Sequence, residues 1–282
     1  MQPTKGIDFS DAALGSRRGI MGILNVTPDS FSDGGRFFDT EAAIERGHQL
    51  AIMGADIIDV GGESSRPGAV PVPVEEELRR VIPVIAELSN SYRVSVDTFK
   101  PEVAARAAEA GATLINDISG SLAQVAADHE VGWVAMHMQG SPQTMQRFPH
   151  YEDVVTEVFD YLQRKIDWAG NLGVSEIWID PGIGFGKNLQ HNLSLLQRLD
   201  KLTELGVPIL VGTSRKAFLG KIAKASTGFE VPPIQRTEAS VSSCAWCFLN
   251  GATMMRVHDV AETRELLTLL SWRQDKLSKV NR

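Results

Sequence analysis

Residues 56–97 read DIIDVGGESSRPGAVPVPVEEELRRVIPVIAELSNSYRVSVD, and segments of different character follow one another in them. Residues 56–60 form a short apolar run rich in β-branched side chains. Residues 61–74 are rich in Gly, Pro and Ser and have no apolar period. Residues 74–88 place Leu78, Val81, Ile82, Ile85 and Leu88 at a spacing near that of one helical face. Residues 93–97 are again short and β-branched. Strand, long connection, helix, strand is the order of a βαβ unit.

The same alternation runs through the chain. Apolar runs predict strands at 19–26, 56–60, 93–97, 113–118, 132–137, 176–180, 208–212 and 253–258. They recur about every 33 residues, the size of one strand–helix repeat. Helical period fills 39–53, 74–88, 151–168 and 189–205. Gly54, Gly111, Gly173, Gly206 and Gly251 stand where a left-handed residue would end a helix. Eight β-then-α repeats predict an α/β fold, a closed parallel (β/α)8 TIM barrel. One domain is expected over residues 1–282, with the barrel core at about 18–275. An open doubly wound sheet fits less well, because no G-x-G-x-x-G follows the first run.

Composition narrows the function. The chain has 282 residues, 22% of them charged, with a formal net charge of −7 and no basic run, which argues against a nucleic-acid partner. No apolar stretch reaches the roughly 18 residues of a membrane span. The first residues lack a basic head followed by an apolar run, and there are only two cysteines, so a cytoplasmic chain is expected. Cys244 and Cys247 form C-x-x-C inside a helical apolar stretch and read as small packing residues. Trp133, Trp178 and Trp246 read as core or pocket wall.

Two βα connections are long, 27–38 and 61–74. Such loops lie at the C-terminal face of a barrel, where chemistry sits. The strand runs also end in polar groups: Asn25, Glu63, Asp97, Asn116 with Asp117, His137, Asp180, Ser214 with Lys216, and Arg256 with His258. In a barrel these ends converge on one mouth. Asp97, Asn116 and Asp180 are acceptors suited to the donor edge of an amino-pyrimidine-like heterocycle, although Asn116 can also donate. Lys216 could reach a ring carbonyl or nitrogen. Arg256, His258, Asn25 and Arg66 suit phosphate oxygens, and the Asn25 carbonyl could ligate Mg2+. Asp33 precedes Gly34 and Gly35 in the first connection, as a turn residue or as a group that orients the loop, metal or nucleophile.

These positions carry a family resemblance. The segments are Met21-Gly22-Ile23-Leu24-Asn25-Val26-Thr27-Pro28-Asp29-Ser30-Phe31, Asp59-Val60-Gly61-Gly62-Glu63-Ser64-Ser65-Arg66-Pro67-Gly68, Asp180-Pro181-Gly182-Ile183-Gly184-Phe185-Gly186-Lys187, Gly212-Thr213-Ser214-Arg215-Lys216 and Arg256-Val257-His258. In that order they resemble the dihydropteroate synthases, the folate-pathway enzymes inhibited by sulfonamides. The resemblance covers residues 18–270. It implies a TIM-barrel homodimer that uses Mg2+ to join 6-hydroxymethyl-7,8-dihydropterin diphosphate to 4-aminobenzoate. It implies that Asp97, Asn116, Asp180 and Lys216 hold the pterin beside Met138 and Phe185. It gives diphosphate and loop contacts to Asn25, Ser65, Arg66, Arg256 and His258, and catalytic roles to Asp33, Arg66, Asp97 and Lys216. Departures from the family pattern are Ser65 in place of Thr, Ile183 in place of Phe and Ala217 in place of Ser. A pterin-dependent methyltransferase domain and a non-catalytic pterin-binding paralogue are the alternatives; Arg66, Arg256 and His258 speak against the first, and the intact loops against the second.

Overall fold

Each short β-branched run becomes a strand, and each helical-period segment returns the chain to the start of the next. The computed structural model describes residues 18–27, 36–64, 69–141, 143–229 and 231–280. The strands are β1 (Gly19–Asn25), β2 (Ile57–Gly61), β3 (Val94–Asp97), β4 (Leu114–Asp117), β5 (Gly132–Met136), β6 (Ile177–Asp180), β7 (Leu210–Val211) and β8 (Met254–Val257). The described helices are α1 (Arg36–Ile52), α2 (Val74–Leu88), α3 (Pro101–Glu109), α4 (Ala123–Asp128), α5 (Val154–Asn171), α6 (Leu189–Gln197), α7 (Ala217–Thr227), α8 (Thr237–Leu249) and α9 (Val260–Val280).

The strands lie in the order β6-β5-β4-β3-β2-β1-β8-β7, and every pairing is parallel. A parallel bridge between Ile179 and Ile209 joins β6 to β7 and closes the ring. The predicted (β/α)8 barrel is the observed fold, and all eight predicted strands are present within two residues of their expected ends.

Helix ends differ more, for local reasons. The segment expected from residue 151 starts at Val154, because the Asp153 carboxylate accepts from the backbone N–H groups of Val155 (2.9 Å) and Thr156 (3.1 Å). The segment expected over 189–205 breaks at Arg198 into α6 and a 3-10 stretch, Leu199–Leu205. There the Thr203 hydroxyl bonds the Asp200 carbonyl (2.6 Å), competing with the helical ladder. The five expected helix-ending glycines all have positive φ, from +73° at Gly206 to +107° at Gly111.

Side-chain alternation splits the core in two. Val60, Val94, Val96, Ile115 and Ile179 point outward and bury against helix faces such as Val81, Ile85 and Leu88. Inside the barrel, Met21, Ile57, Leu114, Val134, Trp178, Leu210 and Met254 form a separate, fully buried cluster. Burying each such side chain stabilises the fold by about 1.5–3 kcal/mol. This apolar layer plugs the barrel and becomes the floor beneath the strand ends.

Candidate active site

Two residues beyond that floor, on the same face, stand Asp59, Asn116, Met136, Asp180 and Arg256, with Gly212 just past β7. Within one pleat repeat the interior therefore changes from an all-apolar layer to one that holds Asp59, Asn116, Asp180 and Arg256. Asn25, Gly61 and Asp97 lie level with one another at the rim, paired in register across β1, β2 and β3.

Arg256 is the centre of this layer. Its Nε donates to Asp59 Oδ2 at 2.6 Å, and its Nη2 donates to Asp97 Oδ2 at 2.5 Å. Asn116 Nδ2 donates to the same Asp59 oxygen at 3.0 Å. Burial pushes the Asp97 carboxyl up to about 7, opposed by Arg256 and reinforced by the negative charge of Asp59. Burial works against the Arg256 charge, but Asp97 and Asp59 outweigh it and hold the proton more tightly than usual.

Across the mouth, Asp180 accepts the Gly182 N–H at 2.7 Å, and burial raises its carboxyl against the pull of Lys216. Lys216, the N-cap of α7, donates through Nζ to the Ile183 carbonyl and lies 4.6 Å above the Phe185 ring. Burial brings Lys216 down to about 8, with Asp180 acting the other way. His258 follows β8; its Nδ1 is 3.0 Å from Ser214 Oγ, and its backbone N–H donates to that oxygen at 3.2 Å. Met138 is half-buried just past β5.

The turn between Asp180 and α6 is held from below. Lys187, only 2% exposed, places Nζ 2.9 Å from His137 Nδ1 and donates to the carbonyls of Gly182 and Phe185, each at 3.0 Å. Burial lowers Lys187 to about 7; burial and Lys187 lower His137 to about 3. A Cβ at Gly182 would lie 1.8 Å from the His137 carbonyl, so only glycine fits there. The second connection is fastened at both stems by Lys100, whose Nζ donates to Glu63 and Glu77 at 2.5 Å and to the Val72 carbonyl at 2.6 Å.

The mouth thus brings together Asn25, Asp97, Asn116, Asp180, Lys216, Arg256 and His258, with Met138 and Phe185 beside it. Asp33, Ser65 and Arg66 lie outside the described residues. The acidic and basic sets anticipated from the sequence are not separate, since Arg256 pairs directly with Asp97. Asp59 was missed, although an acid inside the apolar run Ile57-Ile58-Asp59-Val60 was its signal: a buried carboxylate demands a cation or donors. Cys244 and Cys247 are free and buried, and burial pushes the Cys244 thiol up to about 12, in keeping with a packing role. Trp133 and Trp178 are core, but Trp246 is 48% exposed and belongs to neither core nor mouth.

Comparison with known proteins agrees with this arrangement. A family model described as "Pterin binding enzyme" matches residues 21–258. The chain is 45% identical over 260 residues to the dihydropteroate synthase of Escherichia coli, covering 89% of this chain and 90% of that one. The solved Xanthomonas albilineans dihydropteroate synthase with 4-aminobenzoic acid superimposes with a TM-score of 0.84 at 48% identity, covering 92% of this chain and 93% of that one. The same organism's enzyme in complex with 7,8-dihydropteroate gives 0.81 at 46% identity, covering 92% and 94%. On these matches, and on the polar array at its barrel mouth, the chain belongs to the dihydropteroate synthase family of pterin-binding enzymes.

Proposed function

We propose that the mouth takes the ring of 6-hydroxymethyl-7,8-dihydropterin diphosphate against Asp97, Asn116, Asp180 and Lys216, between Met138 and Phe185. In this reading the diphosphate meets Asn25, Arg256 and His258, and Ser65 and Arg66 reach it from the second connection. The enzyme condenses that diphosphate with 4-aminobenzoate to 7,8-dihydropteroate and diphosphate, in tetrahydrofolate biosynthesis. The observation that carries this reading is the single polar array in which Arg256 spans Asp59 and Asp97 within the ring of strand ends that holds Asp180.

The chemistry follows from the charges. The bond from the exocyclic methylene carbon to the diphosphate oxygen breaks, and its electron pair leaves with diphosphate. The cation spreads into the ring, where Asp97 and Asp180 provide negative potential in a buried setting that strengthens it. Arg256, Arg66 and His258 take up the charge on the leaving group. The arylamine lone pair then forms the new C–N bond and the nitrogen loses a proton; the amine is already neutral at pH 7, so no strong base is needed. Asp33 orients the amine or the first connection, and Lys216 holds the ring.

Magnesium belongs to this reading as a partner of the diphosphate. Among the described residues no group of three or more His, Cys, Asp or Glu could hold a metal ion. The Asn25 side-chain carbonyl, at the end of β1, would be the protein ligand of such an ion. When bound, the ion supplies positive charge that stabilises the departing diphosphate. The reading also includes a homodimer and a cytoplasmic location. Among the described residues no helix is long and apolar enough to cross a membrane.

Calorimetry tests the assignment. The pterin diphosphate should bind first and more tightly with Mg2+, and 4-aminobenzoate should bind only to the diphosphate-loaded protein. Tight binding of 4-aminobenzoate to the protein alone would sink this order.

A further inference from the structure

Asp59 has been given no contact with substrate, yet it is the fixed point of the polar layer. Its side chain is fully buried. Its Oδ2 accepts from both Arg256 Nε and Asn116 Nδ2, at 2.6 and 3.0 Å. These two partners come from strands on opposite sides of β2 in the sheet order. The Asn116 amide has two ends of nearly equal size and opposite hydrogen-bonding sense, so its orientation is decided by what it faces. A carboxylate only accepts. Asn116 must therefore turn its nitrogen to Asp59, which leaves Oδ1 as the end not engaged there.

We propose that Asp59 is a positioning residue whose carboxylate makes Asn116 present an acceptor to the mouth, and so sets the site's specificity for heterocycles that display N–H groups. The inference rests on the ring placement given above. Both partners meet the same oxygen, so an alanine at position 59 removes the acceptor that holds the Asn116 nitrogen. Asn116 is then free to turn its NH2 to the mouth, a donor where the ring also has donors. Pairing that change with a carboxylate at position 116 cures the conflict, because a carboxylate accepts at both ends and the total charge of the pair is unchanged.

The experiment compares wild type, Asp59→Ala and the double variant Asp59→Ala/Asn116→Asp, with calorimetric binding of 6-hydroxymethylpterin as readout. Asp59→Ala should weaken binding at least tenfold, and the double variant should return to within about threefold of wild type. A merely structural role for Asp59 would not produce rescue by a second change in the same layer. Asp59→Ala within twofold of wild type, or a folded double variant no tighter than the single, overturns the inference. If neither variant folds, neutron diffraction of the wild-type complex decides it: deuterons on Asn116 Nδ2 directed at Asp59 support the proposal, and deuterons directed at the ring overturn it. Failure of wild type to bind 6-hydroxymethylpterin would instead overturn the ring placement on which the proposal rests.

Discussion

Ser214 and His258 hold one another through two contacts, and the second governs the imidazole. The Ser214 oxygen accepts the backbone N–H of His258 and lies 3.0 Å from its Nδ1. A serine proton donated to Nδ1 would put the proton of the neutral ring on Nε2, the other ring nitrogen. Ser214→Ala removes the hydroxyl without changing the strand. The expected loss is about 1 kcal/mol in the free energy of diphosphate binding, a roughly fivefold rise in the KM for the pterin diphosphate. The KM for 4-aminobenzoate should change less than twofold, and steady-state kinetics against both substrates checks the split. An unchanged pterin diphosphate KM would mean that His258 keeps its pose without the serine. Residues such as Asp97, Asp180 and His258 are legible in sequence because period-2 alternation delivers the end of every strand to one place. Asp59 is not, because its meaning lies in partners 57 and 197 residues away, and only the closed ring brings those together.

Elements carry the next level of control. Helix α7 begins at Ala217 and has Lys216 as its N-cap with no side-chain cap; the Leu219 N–H donates to the Lys216 carbonyl at 3.2 Å, which leaves the N–H groups of Ala217 and Phe218 at the edge of the mouth. A carboxylate there gains from the helix dipole and these donors by about 0.3–1 kcal/mol. Ala217 is exposed. A serine hydroxyl at that position adds one charge-assisted hydrogen bond, about 1.5 kcal/mol when partly wet. Ala217→Ser is therefore expected to lower the KM for 4-aminobenzoate severalfold and to leave that for the pterin diphosphate nearly unchanged. A sulfonamide, which lacks the carboxylate, should gain less in its inhibition constant. Equal gains for sulfonamide and aminobenzoate would place the new hydroxyl against some other part of the ligand. At this scale the order and type of the elements are legible from period alone, whereas their limits depend on single side-chain contacts. Asp153 capping α5 is one such contact.

For the whole molecule, the outward face of α7 to α9 and the charge state of the mouth each lead to a measurement. On α9, Leu267 is buried, Leu266 and Leu270 pack on the core, and Leu269 is 63% exposed. Leu249 and Trp246 on neighbouring α8 are 55% and 48% exposed. A second copy covering this face is expected, so light scattering should give twice the chain mass. Leu249→Arg with Leu269→Arg should give the single mass, and a monomeric wild type would refute the homodimer. The mouth, by contrast, is closed below by hydrocarbon, so its charges are screened little by water and their pKa values move toward one another. Asp97, raised to about 7, is neutral below that pH and charged above it. Lys216, lowered to about 8, is charged below that pH and neutral above it. Both carry charge together only in the interval between, where the ring cation is stabilised by Asp97 and the ring is held by a cationic Lys216. The two groups interact, so the limbs belong to the pair rather than to either residue. Measured as kcat/KM for the pterin diphosphate from pH 5 to 10 at constant ionic strength, activity should trace a narrow bell centred in that interval. In Lys216→Arg, whose guanidinium does not titrate in this range, the alkaline limb should disappear while the acid limb stays. A wild-type profile flat from pH 6 to 9, or an alkaline limb that survives in Lys216→Arg, would show that the lysine charge does not set the upper limit of activity.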